Sequence, residues 1–460
     1  MMHVRSEGTR KLLFLAKWFI LLSLLAVILF ETRLQAVEVA AASGKSLSGI
    51  VQIAGNHALD KNGVLWSWDE SKYTAVPILQ NVKQISSSQL AVKDDGSVWV
   101  WGVHYSSNNE GWMSTPFQQP TQIEGLPVIE QVCGGYVIDT KGNVWKINGV
   151  EHNAKQVEGL KNIIELDVNT YVSALDKDGN VWAWGINKFN EPFGPMKGLS
   201  SIKTITGGLA VGDDWSMTEI YHNMLNGYGS SGGEIKVDLR TLSKTITAVS
   251  GAFVELRSDY TFLLQNNGTV WTLIDAFAGS DRVILQQVKG LSKVTAVSAK
   301  GMGGGTALHL DGTVSSWSGA RSNKVFSHRF YYSESMVGFP IKPVKVIVGV
   351  GIKVNGELWA LPTQPQMFYN RVYIPVRGLF ESLGGRIGLT DKLITIEYGQ
   401  RLVELEIGTT TARIDGKNVI LDDPIRVENG RTMVPFRFIG EALGAKIAWD
   451  SVNKTVGITL

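Results

Sequence analysis

Cysteine is almost absent from this chain of 460 residues: Cys133 stands alone, which excludes an intramolecular disulfide even in an oxidising compartment. A lone thiol of this kind reads as a small buried apolar residue. Charge of one sign is also lacking. Against 44 Lys and Arg stand 42 Asp and Glu, and a net charge of +2 offers no footprint for a nucleic-acid backbone or an anionic membrane surface. The seven histidines (His3, His57, His104, His152, His222, His309 and His328) show no pairing at metal-ligand spacing. There is no G-x-S-x-G, Walker or dinucleotide motif, and the glycines at 301–305 precede a strand rather than a helix, so they form no phosphate cradle. Asp176, Asp178 and Gly179 open like a calcium loop. The glycine comes two positions early, however, and no Glu follows at the twelfth, so a hairpin turn is expected. No catalytic, cofactor or metal residue is assigned, and the expected function is not enzymatic.

What the chain does have is 50 glycines and 14 tryptophans, many turns beside many aromatics, as short strands require. Its length exceeds what one core serves, so a large β domain and a smaller companion are expected.

Arg5, Arg10, Lys11 and Lys17 precede the uncharged run Trp18–Phe30, whose thirteen residues suit a secretory h-region. Small residues beyond it allow cleavage after Ala36, Ala41 or Ala42. Extended back to Leu12, the run reaches nineteen residues, enough for an uncleaved membrane anchor. Residues 1–42 are thus a signal peptide or an anchor. Either way the remainder is expected outside the cytoplasm, secreted or at the cell surface, with the membrane met only through an uncleaved segment.

From there one phrase recurs. ALDKDGNVWAWG at Ala174 returns at Ala58, Ala91, Val137, Leu263, Ala307 and Ile352, and in a decayed form at Leu209, with Trp215 where the turn glycine belongs. The turn glycines Gly63, Gly96, Gly142, Gly179, Gly268, Gly312 and Gly356 lie roughly 35 to 55 residues apart once that copy is counted. Each copy is a hairpin, Asp or Asn with Gly supplying the turn. In Val181–Trp184 both alternating faces are apolar, so each sheet must be covered on both sides. Blades packed around a ring meet that need, with the indoles filling the gaps between blades.

With its upstream Val82 and Ile85 and downstream Pro120 and Ile123, the repeat resembles the regulator-of-chromosome-condensation family. The resemblance implies a β-propeller, expected over 43–362 with seven or eight blades.

Beyond Gln366 a second duplication appears, RVYIPVRGLFESLGGRI from Arg371 matching RTMVPFRFIGEALGAKI from Arg431. Pro375 and Pro435 suit the first helical position, Leu379/Leu383 and Ile439/Leu443 make i, i+4 pairs, and Gly384 and Gly444 end the helices. Strands are expected in LVELEI, TARI, NVIL, KIAW and KTVGIT. This α+β module, 363–460, resembles the copper-amine-oxidase N-terminal-like or stalk domain, which implies attachment or spacing at the cell surface. From Pro362 onward there is neither His nor Cys, so copper chemistry is not expected.

Residues outside the repeat carry the expectation of binding. Trp112 lies in a polar insertion, and His328, Arg329, Phe330, Tyr331 and Tyr332 form a dense aromatic cluster in another. Trp112, His328, Arg329, Tyr331 and Tyr332 are the candidate partner-binding residues; NGYGSSGGE from Asn226 is a third insertion, and Trp215 is expected to plug the decayed blade. The expected function is a non-catalytic extracytoplasmic binding or adhesion protein that engages a protein or cell-wall glycan and no nucleic acid. The alternatives are a glycan hydrolase or lyase with carboxylates in the central funnel, and a secreted enzyme inhibitor.

Overall fold

The protein is described from a computed structural model. It describes residues 45–460 except 70–72, 103–104, 109–110, 115–117, 169–170, 186–194, 197–198, 200, 207–208, 213–216, 220–245, 252–259, 276–282, 301–303, 319–342, 369–370, 429 and 452. The expected signal peptide or anchor and Trp215 lie outside the described residues. Among those described, no helix is long and apolar enough to cross a membrane.

Among the described residues the repeat builds seven antiparallel sheets, whose inner strands begin at Ile50, Val82, Ile129, Ile163, Ile202, Ile246 and Val294. All seven carry the same irregularity: the pairing of the first two strands slips between the first and third residues of the inner strand, from Ile50/Gln52 in blade 1 to Val294/Ala296 in blade 7. The decayed copy at Leu209 shares the slip and is therefore a true blade, the fifth.

Hairpin glycines join the blades. The carbonyl of Gly63 accepts from Val82 N–H at 2.9 Å, Gly96 from Ile129 at 3.0 Å, Gly142 from Ile163 at 3.1 Å, Gly179 from Ile202 at 3.3 Å and Gly268 from Val294 at 3.1 Å. Gly312 of blade 7 accepts from Ile50 of blade 1 at 3.2 Å, so the seam between last and first blades is made like the others and the ring closes at seven. Glycine is needed here for two reasons. At Gly142 φ is +77°, and a Cβ would stand 2.8 Å from Asn162 Cα and 2.9 Å from Ile163 N.

The two apolar faces of each blade go to different neighbours. Trp184 packs with Tyr136 and Ile138 of blade 3, whereas Val181 and Ala183 pack with Ile205 and Ala210 of blade 5. The second indole of the repeat meets an aromatic ring of the preceding blade edge-on: Trp184 with Tyr136, Trp317 with Phe262, and Trp101 with His57, at centroid distances of 5.9, 5.4 and 5.3 Å. The first indole is half-buried and has a polar duty that the sequence reading missed. Trp66, Trp145 and Trp182 donate Nε1–H to Asp60, Asp139 and Asp176, six residues earlier, at 3.0–3.3 Å, and Trp271 donates to Gln265 at 3.0 Å. The other oxygen of each Asp accepts backbone N–H groups of the turn, so one carboxylate shapes the hairpin and holds the indole. Burial opposes ionisation of Asp176, yet the hydrogen bonds from Asn180, Trp182 and Asp178 N–H hold its carboxyl below the ordinary range.

A second set of links ties inner strands together. The Gln52 amide accepts from Ile85 N–H at 3.1 Å and donates to Ile85 C=O at 3.0 Å; Gln84 accepts from Val132 N–H at 3.0 Å, and Gln131 donates to Ile164 C=O at 3.1 Å. Glu165 accepts from Thr204 Oγ1 at 2.8 Å and from Ile205 N–H at 3.2 Å. Burial raises its carboxyl pKa, which these two bonds oppose. Blades 1 to 5 are thereby stapled in series. In blades 5 to 7 the register places Thr204, Ala248 and Ala296 at this position, residues too short to make the staple.

After the outer strand of blade 7 (Val344–Lys345), the chain crosses the seam. Ile347–Val348 pair in parallel with Thr74–Ala75 of blade 1, and Leu47 N–H donates to Val346 C=O at 2.9 Å. This strap leads into the C-terminal domain. There Gly351–Val354 and Glu357–Trp359, expected to be the last propeller hairpin, instead form a sheet with Thr455–Thr459 and Lys446–Asp450. Ile352 and Val354 are buried in the core of that domain. The domain boundary therefore falls near residue 349 rather than at 362, and the eighth hairpin is not a blade.

The two duplicated halves meet through Arg371–Pro375 and Arg431–Pro435, paired antiparallel. Each is followed by a helix, α1 (Val376–Ser382) or α2 (Phe436–Leu443). Pro375 and Pro435 are the N-cap residues, one position earlier than expected, because both still pair across that sheet. Gly444 caps α2 in the left-handed conformation, and Gly384 follows the α1 cap, Leu383. The remaining expected strands are present, three of them in a five-stranded sheet over 386–420. Domain and ring are joined by contact: the Gln119 amide of blade 2 accepts from Ala360 N–H at 2.9 Å and donates to its carbonyl, and Ala360 is buried among Leu65, Val76 and Trp101.

Candidate binding site

An antiparallel blade puts its first and third turns on one face of the ring and the glycine hairpin on the other. On the first-turn face blade 1 has a short turn, Gly55–Asn56, between higher shoulders. Gly55–His57, Ser87–Gln89 of blade 2 and Ala299–Lys300 of blade 7 enclose a recess of about 300 Å³. Its seam is polar. Gly55 donates N–H to Ser298 Oγ at 2.9 Å and accepts from Thr306 Oγ1 at 2.7 Å. Lys300 Nζ donates to Asn56 Oδ1 at 2.8 Å and to Ser316 Oγ at 2.9 Å.

His57 forms part of the floor. Trp101 Nε1–H donates to its Nε2 at 3.3 Å, and its Nδ1 lies 3.2 Å from Ala54 O, a pair of contacts suited to the neutral ring. Burial lowers its pKa from 6.5 to about 4, against the smaller raising effect of the Ala54 bond. The folded value lies below the unfolded one, so the unfolded chain binds the proton first as pH falls. Stability from this site is complete above about pH 6.5 and is lost down to about pH 4, a loss of roughly 3 kcal/mol. A denaturation series over that range is expected to show the loss, and His57→Phe, which copies Phe262 of blade 6, is expected to flatten it.

The third turns open on the same face. Blade 2 inserts there a hairpin, Tyr105–Asn108 paired with Gly111–Ser114, in which Trp112 sits opposite Ser107. Blade 7 inserts the connection from Trp317 to Val344. His328, Arg329, Tyr331 and Tyr332 belong to that connection and lie outside the described residues, as does the insertion at Asn226. Blades 2 and 7 flank blade 1, so both elaborations leave the ring on either side of the recess. None of the recess residues was singled out by sequence reasoning.

The second residue of the inner strand, where the register slips, is exposed in six blades: Val51, Lys83, Glu130, Ile164, Lys203 and Thr295. Innermost in their blades, these strands turn this mixed set toward the axis. Glu165, the neighbouring carboxylate, is engaged with blade 5. Among the described residues no three His, Cys, Asp or Glu side chains gather as metal ligands. Burial, with a contribution from Asp167, raises the Cys133 thiol pKa to about 12, which keeps it protonated and unreactive at neutral pH.

Residues 353–458 match the family model of the copper amine oxidase N-terminal domain. The match takes in most of the hairpin at 351–359, in agreement with its place in the C-terminal sheet. No curated protein matches the chain. Among solved structures, Prp20p from Saccharomyces cerevisiae is similar at 16% identity, covering 58% of this chain and 70% of that one with a TM-score of 0.31. AztD from Citrobacter koseri is similar at 10% identity over 81% of this chain and 94% of that one, with a TM-score of 0.31. The computationally designed protein Ika8 is similar at 13% identity over 77% and 94%, TM-score 0.33. The propeller assignment itself rests on the seven sheets and the seam between Gly312 and Ile50.

Proposed function

We propose that this chain is a non-catalytic, extracytoplasmic binding protein whose first-turn face engages a protein or a cell-wall glycan, while the C-terminal domain associates with the cell envelope. The observation that carries the reading is the concentration of departures from the repeat: the hairpin of blade 2, the recess beside it and the point after Trp317 at which blade 7 leaves the repeat share one face. The location rests on the basic and apolar N-terminal segment, and the envelope role on the C-terminal family match. Trp112, His328, Arg329, Tyr331 and Tyr332 supply the aromatic and cationic groups suited to such contacts.

Sedimentation of residues 43–460 with isolated envelope fractions tests this. The chain is expected to cosediment and to be released when 105–114 is replaced by a short Gly-Ser turn. Equal sedimentation of that variant, or none by the parent, contradicts the reading.

A further inference from the structure

We infer that the C-terminal domain carries a self-association edge: Lys417–Ile420, the last strand of its five-stranded sheet, pairs antiparallel with the same strand of a second copy of this chain. This goes beyond the proposed function and holds whatever the first-turn face engages.

The duplication points to the place. Aligned on Arg371 and Arg431, the hairpin of the first half puts Leu358 and Ala360 where the second half has Asn418 and Ile420. In the first half both positions are buried, Leu358 at 8% and Ala360 at 3% exposure, and the Gln119 amide of blade 2 accepts from the Ala360 N–H and donates to its carbonyl. The second half turns the same surface to solvent. Ile420 is 83% exposed, the highest value of any large apolar side chain among the described residues, and Asn418 is exposed on the same side of the strand.

The backbone of this strand is open as well. Leu421 N–H donates to Thr410 C=O at 2.7 Å, so by alternation Lys417, Val419 and Leu421 bond inward, while the N–H and C=O of Asn418 and Ile420 point away from the sheet. Among the described residues no strand pairs with that outer side. Devices that blunt an edge are few here: the strand has no proline and no register slip, and Lys417 is its one charge.

The strand also suits its own copy. A two-fold axis at Val419 sets Asn418 opposite Ile420 of the second copy and Ile420 opposite its Asn418, so every outward-facing residue of the strand is bonded and the two five-stranded sheets become one. Lys417 then lies opposite Leu421 of the second copy and next to its Asp422, and no like charges face each other along the strand. One strand pair buries less than a standard interface, so a dissociation constant of about 10–100 μM is expected.

Sedimentation velocity of residues 43–460 over a series from about 1 to about 300 μM tests this, with a reversible monomer–dimer equilibrium as the expected result. Ile420→Pro removes only an outward N–H, leaves the inward ladder intact, and is expected to raise the dissociation constant at least about tenfold. Val419→Cys reads the register independently. With oxidised glutathione it is expected to yield a disulfide-linked dimer, whereas Leu310→Cys, an exposed position on the propeller, is expected to stay uncrosslinked, and the buried Cys133 thiol stays unreactive in both. The inference is overturned by a chain that stays monomeric throughout, by a dimer that Ile420→Pro leaves unchanged, by assemblies larger than a dimer, or by a dimeric population in which Val419→Cys does not cross-link.

Discussion

Replacing Trp184 with alanine is expected to lower the stability of the propeller by about 3–5 kcal/mol, the range for truncating a fully buried aromatic. Its indole is 1% exposed and fills the space between blades 3 and 4 against Tyr136, Val144 and Leu166. The neighbouring Trp182, half-buried at the rim and bonded to Asp176, should lose less on the same change. Urea denaturation checks both, read as a fall in the midpoint at unchanged slope. Equal losses at the two positions would mean that depth between blades does not set the energy, and the packing account would be wrong.

The second large effect concerns where the C-terminal domain begins. A fragment of residues 349–460 is expected to fold cooperatively, and a fragment of residues 363–460 is expected not to. The shorter piece lacks Gly351–Val354, the parallel partner of Thr455–Thr459, and leaves Val456 and Ile458 without Ile352 and Val354 in a core to which all four belong. Several buried aliphatic side chains are removed at once, each worth about 2–5 kcal/mol on truncation, more than a domain of this size has to spare. Thermal melts by circular dichroism distinguish the two outcomes. A sharp melt from 363–460 would place the hairpin with the propeller after all.

That hairpin shows where sequence reasoning reaches its end. Val354-Asn355-Gly356-Glu357 followed by Leu358 and Trp359 has the same turn chemistry as a blade hairpin, so local pattern assigns it to the repeat. What it pairs with depends on a strand a hundred residues later, and periodicity carries no such information. The decayed copy at Leu209 is the reverse case: its turn glycine is gone, yet its inner strand keeps the slip shared by all blades. Removing one hairpin and keeping the other reconciles the repeats with a ring of seven.

The tryptophans were legible because alternation in a strand forces neighbouring indoles and aliphatics onto opposite faces. The link from Asp to the indole six residues on was present in the sequence as D-x-x-G-x-x-W. In blade 2 Lys93 takes the Asp position, and its ammonium lies 3.8 Å from the centre of the Trp99 ring; in blade 7 His309 and Ser315 take the two places, 2.8 Å apart. The position is kept while the chemistry changes. The recess could not be read in advance, since Gly55, Ser88 and Lys300 come together only when the last blade meets the first.

The use of one ring face for binding is tested most directly by hydrogen–deuterium exchange of residues 43–460 with and without envelope fractions. Protection is expected at 105–114 and at Ser87–Gln89, with the opposite hairpin turns, including the exposed Leu310, unchanged. Protection confined to those hairpin turns, or spread evenly over both faces, would contradict the account.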